Sequence, residues 1–350
     1  MALSVKDAFL LSLCDGALKS NPITSKQWLD EIGTDYLQRI EWFLQNGYLT
    51  YCEPSESLNK MKVSDLKNIL KRHNEVVTGK KDDLIKRIVK EIPTDNYIES
   101  LEKVYKVTDL GRKEIEDKSV YIDNKKFGFG FLNDEIEVAE NLYKQKPDYD
   151  VNEIMTYLIN TKLNKLSAEK NFGFLRNEYY RLNVYYLKKG YKEKALEELL
   201  KTLYIDLSGM ENNNGVSKYG LLDALLATSL WGALDEQMED LNIDAEKLQV
   251  LFFESINKCV TKLPFRYFEP NIMFKIMIDR LHGEQNLLEK YAQYSNRPDP
   301  NNPNYNFVVF NNSNIISPTQ VNNKVIKTSG GCLLPIIAIL VAIITVVFIV

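Results

Sequence analysis

The residues able to do chemistry are few in this chain, and their spacing argues against catalysis. Its two histidines, His73 and His282, lie far apart, and its four cysteines, Cys14, Cys52, Cys259 and Cys332, form no CxxC pair. Zinc ligation needs such groups at close, recurring intervals, and a disulfide framework needs a density of cysteines that four in 350 residues do not give. Neither is expected, and a reducing compartment suits the thiols. The chain has no HExxH, no GxSxG and no phosphate-loop motif. The Gly-x-Gly of KKFGFGF (125–131) lacks the following Gly or Lys-Ser/Thr and any βαβ context, so it reads as a linker between domains. Asp235-Glu236 and Glu239-Asp240 have the spacing of a solvated helix face rather than of a metal site. The expectation is a non-enzymatic protein with no cofactor and no metal.

Cations are the exception. Residues 60–90 hold ten Lys/Arg against four Asp/Glu, a net of +6, which leaves −10 for the rest of a chain whose net charge is −4. A basic island in an acidic chain is the footprint of a polyanion contact. The alternative is that these lysines are the solvated faces of amphipathic helices. Within MKVSDLKNILKRHNEVVTGKKDDLIKRIV (61–89), the apolar spacing predicts two short helices. Val63, Leu66, Leu70 and Ile69 line the first, and Leu84, Ile85 and Ile88 the second. Gly79 permits the turn between them, with Asp82 or Thr78 as the second helix's cap.

This pattern, Val-x-x-Leu-Lys-x-x-Leu followed by Gly-Lys-Lys-x-x-Leu-Ile-x-Arg, resembles the SAP domain, a helix–extended segment–helix module that usually binds DNA. The wider combination is similar to SAP-containing proteins of low-GC Gram-positive bacteria and their phages. The resemblance implies double-stranded DNA as partner. Lys67, Lys71, Arg72, Lys80, Lys81, Lys86 and Arg87 would contact phosphates, Gly79 would set the turn, and Leu66, Leu70, Leu84 and Ile88 would form the small core. Such contacts set affinity more than sequence choice. The same lysine-rich face could instead meet protein or anionic lipid headgroups.

The elements that must carry this module come next. At 350 residues and 45% apolar, the chain can hold two or three domains. Ala8–Cys14 reads as a buried helix rather than a signal peptide, because Asp7 interrupts the flank and the apolar run is short. Tyr36–Gln45 predicts a helix ended by Asn46-Gly47, and Tyr48-Leu49-Thr50 a strand start. Val104–Val107 predicts a second strand, with Thr108 or Asp109 capping a helix after it. Together these resemble the end of a winged-helix domain, with the SAP module in or at its wing. Tyr36–Gln45 would then be the recognition helix, but its single positive charge, Arg39, is poor material for phosphate contact.

The predicted organisation is mainly α. It comprises a helical region at 1–57, the SAP module at 58–92, a strand–helix segment at 93–125 and an α-helical domain at 126–294. Within the last, the Tyr179, Leu182, Tyr186, Gly190, Ala195 and Leu199 spacing resembles a tetratricopeptide-like hairpin near 176–206. Leu221–Trp231 predicts a core helix, and 262–268 (KLPFRYF) a core-closing aromatic loop. Residues 295–331 are Pro-, Asn- and Ser-rich and read as a disordered tether. Cys332–Val350 is uncharged and of bilayer-spanning length, so a transmembrane tail anchor is expected. Lys324 and Lys327 before it would leave the bulk of a single-pass protein in the cytoplasm. The functional expectation is a membrane-anchored DNA-binding protein that would tether DNA to the membrane through 332–350. The alternative is a membrane-tethered adaptor whose α-helical domain binds a protein partner.

Overall fold

The N-terminal core forms because apolar residues crowd every side of the first helix. In the computed structural model, which describes residues 3–146, 151–217, 228–296 and 306–308, α1 (Val5–Cys14) buries Ala8, Phe9, Leu10, Leu11 and Cys14. Ser4 caps it by accepting from the Asp7 N–H at 3.1 Å. Helices α2 (Lys26–Ile32) and α3 (Tyr36–Gln45) close over it with Ile32, Ile40 and Phe43. Strand β1 (Leu49–Tyr51) then pairs antiparallel with β2 (Tyr105–Val107), in the register Leu49↔Val107 and Tyr51↔Tyr105. After β2, Thr108 caps α7 (Asp109–Asp117), its hydroxyl accepting from the Gly111 N–H at 3.2 Å. Gly111 is buried where α7 crosses β1: a Cβ there would lie 2.2 Å from the Tyr48 carbonyl oxygen.

Between β1 and β2 the chain makes α4 (Pro54–Ser57), α5 (Val63–Arg72) and α6 (Lys81–Glu91). This excursion has its own core, made by Leu58, Leu66, Ile69, Leu70, Leu84, Ile88, Ile92 and Tyr97. Side chains of this size contribute roughly 1.5–3 kcal/mol each when fully buried, so the module supplies much of its own stability. Two readings from the pattern are corrected. Val63 is 41% exposed, because it sits at the first turn before α6 reaches α5. The cap of α6 is neither Asp82 nor Thr78: Lys80 occupies that position, and its N–H donates to the Asp83 carboxylate at 3.0 Å.

Downstream, α8 (Ser119–Phe127) gives Ile122 to the N-terminal core and Val120 to a second, larger one. KKFGFGF is packed rather than a free linker. Phe129 and Phe131 are buried in that second core, and the Asn124 amide clamps the turn by bonding the Phe131 N–H and carbonyl at 3.0 and 2.8 Å. The second core is helical: α9 (Asn133–Tyr143), α10 (Val151–Ala168), α11 (Phe172–Lys188), α12 (Lys192–Ser208), α13 (Thr228–Leu241), α14 (Ala245–Asn257), α15 (Pro270–Leu281) and α16 (Leu287–Tyr291). Helices α11 and α12 form an antiparallel hairpin with Gly190 at φ +81° in its turn and Tyr179, Leu182, Ala195 and Leu199 buried in its seam. The Asn183 amide, buried, donates to the Ala195 carbonyl at 2.8 Å and to Gln237 on α13 at 3.0 Å. Of the Leu221–Trp231 helix, residues 221–227 lie outside the described residues, while Leu230 and Trp231 are buried at the start of α13. Asp235, Glu236, Glu239 and Asp240 are exposed on that helix. The aromatic loop closes the core, with Leu263 and Phe268 buried and the Tyr267 hydroxyl donating to the Ser217 carbonyl.

Two further expectations change. Part of the stretch read as a tether, Asn306–Val308, is a strand (β4) paired in parallel with β3 (Gly215–Ser217). The transmembrane component of the fold class is also corrected. Among the described residues no helix is long and apolar enough to cross a membrane. The longest of them, α10, is interrupted by Glu153, Lys162 and Lys165, and a charge within a spanning helix is costly. The Cys332–Val350 segment itself lies outside the described residues. The architecture is mainly helical, with two short two-stranded ladders among the described elements.

Candidate nucleic-acid interface

The module between β1 and β2 is where the sequence concentrates positive charge, and its fold decides which cations are available. Lys67 and Lys71 sit four residues apart on one exposed face of α5, and Arg72 ends that helix. Lys71 and Arg72 also complement the negative end of the α5 dipole. The chain then leaves α5 through His73, whose N–H donates to the Leu70 carbonyl at 3.1 Å. Asn74 follows at φ +58°, a left-handed conformation that Asn tolerates and that completes the cap without glycine. His73 is thus a helix-end residue, as is His282, whose N–H donates to the Ile278 carbonyl at 3.0 Å.

The extended segment from Val76 to Lys80 is held from below by Arg87. Its guanidinium donates to the Val76 and Thr78 carbonyls, the second at 3.1 Å. Gly79 makes the turn into α6 at φ +127°, and a Cβ there would meet the Asp83 side chain at 3.1 Å. The Lys81 ammonium donates to the Asn59 carbonyl at 2.8 Å, tying the start of α6 to the segment before α5. Of the seven cations singled out by the pattern, Arg87 and Lys81 therefore brace the module's own backbone. Lys67, Lys71, Arg72, Lys80 and Lys86 are exposed and have no ion-pair partner among the described residues. Within the module, the ion pair formed is Lys90–Glu91 at 2.7 Å, and the Asp83 carboxylate is engaged by the α6 cap.

The α3 helix offers no comparable surface. Arg39, its one cation, is locked to Asp7 at 2.6 Å and donates to the Ile32 carbonyl at 3.1 Å. Among the described residues no group of His, Cys, Asp and Glu could hold a metal ion. Cys14, Cys52 and Cys259 are free thiols, and burial pushes those of Cys14 and Cys259 up to about 12, far from a reactive thiolate.

The comparisons agree with the geometry at this place. Residues 57–92 match the family model described as SAP domain. No curated protein matches the chain. A SAP domain is therefore present at 57–92, from α4 to the end of α6, and it supports nucleic-acid binding as the chemistry of this surface. Sequence reasoning missed three members of the module's core, Leu58, Ile92 and Tyr97, because they flank the two helices rather than fall within their periodicity. It also missed the bracing role of Arg87, for which a lone Arg on a helix gives no signal.

Proposed function

We propose that this protein is a duplex-DNA-binding protein whose SAP domain grips the phosphate backbone with Lys67, Lys71, Arg72, Lys80 and Lys86. The observation that carries this reading is the set of five exposed cations without ion pairs on a module that matches the SAP domain, within a chain that is otherwise acidic. Unpaired cations repel one another. A phosphate backbone relieves that repulsion and releases its condensed counterions, which is the main driving force of such binding. Arg87, Gly79 and Lys81 act by holding the extended segment and the start of α6 in place. Because the contacts are to phosphates, the reading gives affinity and register with little base selectivity.

Charge reversal tests it. A Lys67→Glu/Lys71→Glu variant of the full chain, compared with the parent on a 20-base-pair duplex at one fixed salt concentration, is expected to bind at least about tenfold more weakly. Binding equal to the parent, with folding verified by circular dichroism, would remove α5 from the interface.

A further inference from the structure

Beside the SAP domain, the sheet that carries it has a second set of unpaired cations. Backbone bonds make the β2 strand the middle of a small three-chain layer: the Lys19 N–H donates to the Lys103 carbonyl at 2.8 Å on one side, and the Cys52 N–H to the Val104 carbonyl at 2.8 Å on the other. Lys103 and Tyr105 are two residues apart on β2 and its approach, so they share a face, and Tyr51 lies opposite Tyr105 on that face. The two rings stack with centroids 5.4 Å apart. Over the half-buried Tyr51 ring stand two ammonium groups, Lys19 at 5.9 Å and Lys103 at 5.0 Å from its centroid. A third, Lys60, reaches across from the start of the SAP domain to 3.5 Å from where a Gly16 side chain would begin. The Gly16 N–H in turn donates to the Tyr105 carbonyl at 2.9 Å.

All three lysines are exposed and none has an ion-pair partner among the described residues. The acidic neighbours in this corner each accept a bond from another group: Glu102 from the Ser20 N–H at 2.9 Å, Asp15 from the Val107 N–H at 2.9 Å, and Glu56 from the Lys106 ammonium at 2.8 Å. The cations are continuous with the SAP surface. Lys81 at the start of α6 bonds the Asn59 carbonyl, and Lys60 follows directly in sequence toward the sheet. Lysines clustered beside an aromatic platform on a hydrogen-bonded ladder, none of them in an ion pair among the described residues, have the chemistry of a nucleic-acid backbone contact.

We propose that Lys19 and Lys103 over the Tyr51 ring, with Lys60 beside Gly16, form a second phosphate-binding patch that holds the same duplex as the SAP domain. The domain would then bind DNA together with the sheet into which it is inserted. This rests on the SAP domain's own contact with DNA, and the test separates the two. The full chain, a Lys19→Glu/Lys103→Glu variant and a Lys67→Glu/Lys71→Glu variant are titrated with a 30-base-pair duplex across a salt series. Loss of two phosphate contacts lowers the slope of log K against log salt by about 1.8, so the sheet variant is expected to show that shallower slope and binding several-fold weaker than the parent. A sheet variant with the parent's slope and affinity, beside a weakened SAP variant, overturns the second patch and leaves the SAP contact standing. If neither variant differs from the parent, both fall. Should the double reversal disturb folding, Lys19→Gln/Lys103→Gln reads the same slope with less charge perturbation, and an unchanged slope there counts equally against the patch.

Discussion

At the scale of single residues, the SAP domain depends on a few side chains whose work is conformational. Gly79 is the clearest, since φ +127° is a backbone state that L residues resist and its Cβ would press on Asp83. Gly79→Ala is expected to cost about 1–3 kcal/mol of stability in the module, read as a lowered thermal midpoint with weaker DNA binding. Arg87 acts similarly by bridging two carbonyls of the extended segment. Arg87→Lys keeps the charge but cannot span both acceptors in one fork, so it is expected to weaken DNA binding almost as much as Arg87→Ala. A purely electrostatic role would leave the Lys variant close to the parent. Cys14 supplies a pH prediction of definite sign. Burial raises its thiol from 9.0 to about 12, so between those values the unfolded chain loses the proton while the folded chain keeps it. Its contribution to stability is complete below pH 9 and declines as the pH rises toward 12, by at most about 1.4 kcal/mol per unit. Urea midpoints between pH 8 and 10.5 should fall less steeply for Cys14→Ala than for the parent.

At the scale of elements, much was legible and the reasons for the failures are local. The helices of the SAP domain stand out because apolar residues recur at helical spacing, and α3, β1, β2 and the Thr108 cap are readable from Asn46-Gly47 and the Val-x-x-Val-Thr-Asp run of 104–109. The packed state of KKFGFGF was not legible. Two glycines suggested looseness, whereas the neighbouring Phe129 and Phe131 drive the segment into the core and Asn124 satisfies its backbone. Parallel pairing of Asn306–Val308 with Gly215–Ser217 was equally hidden, because its partner lies some ninety residues upstream and short strands carry little periodicity. The crossing of α7 over β1 offers a test of the N-terminal architecture. A methyl group at Gly111 would overlap the Tyr48 carbonyl oxygen at 2.2 Å, so Gly111→Ala is expected to destabilise this region by about 1–3 kcal/mol in a urea titration. An unchanged midpoint would mean that α7 and β1 do not approach so closely.

At the scale of the whole molecule, the charge is divided, and that division organises the functional account. A +6 island sits in a chain of net −4, the island coincides with the SAP domain, and of its exposed cations Lys67, Lys71, Arg72, Lys80 and Lys86 are without ion pairs among the described residues although acidic residues are abundant elsewhere. The candidate site was largely readable from sequence, since charge and motif occur together within about thirty residues. Which cations are free was not, because Arg87 and Lys81 are claimed by backbone carbonyls that only the fold brings to them. The most direct measurement is the equilibrium binding of the full chain to duplex DNA across a salt series from about 50 to 300 mM. The five cations proposed to grip the phosphates, Lys67, Lys71, Arg72, Lys80 and Lys86, predict a log-linear fall of affinity with a slope of about −4 or steeper. A slope near zero, or no binding at the lowest salt, would contradict phosphate recognition as the work of this surface.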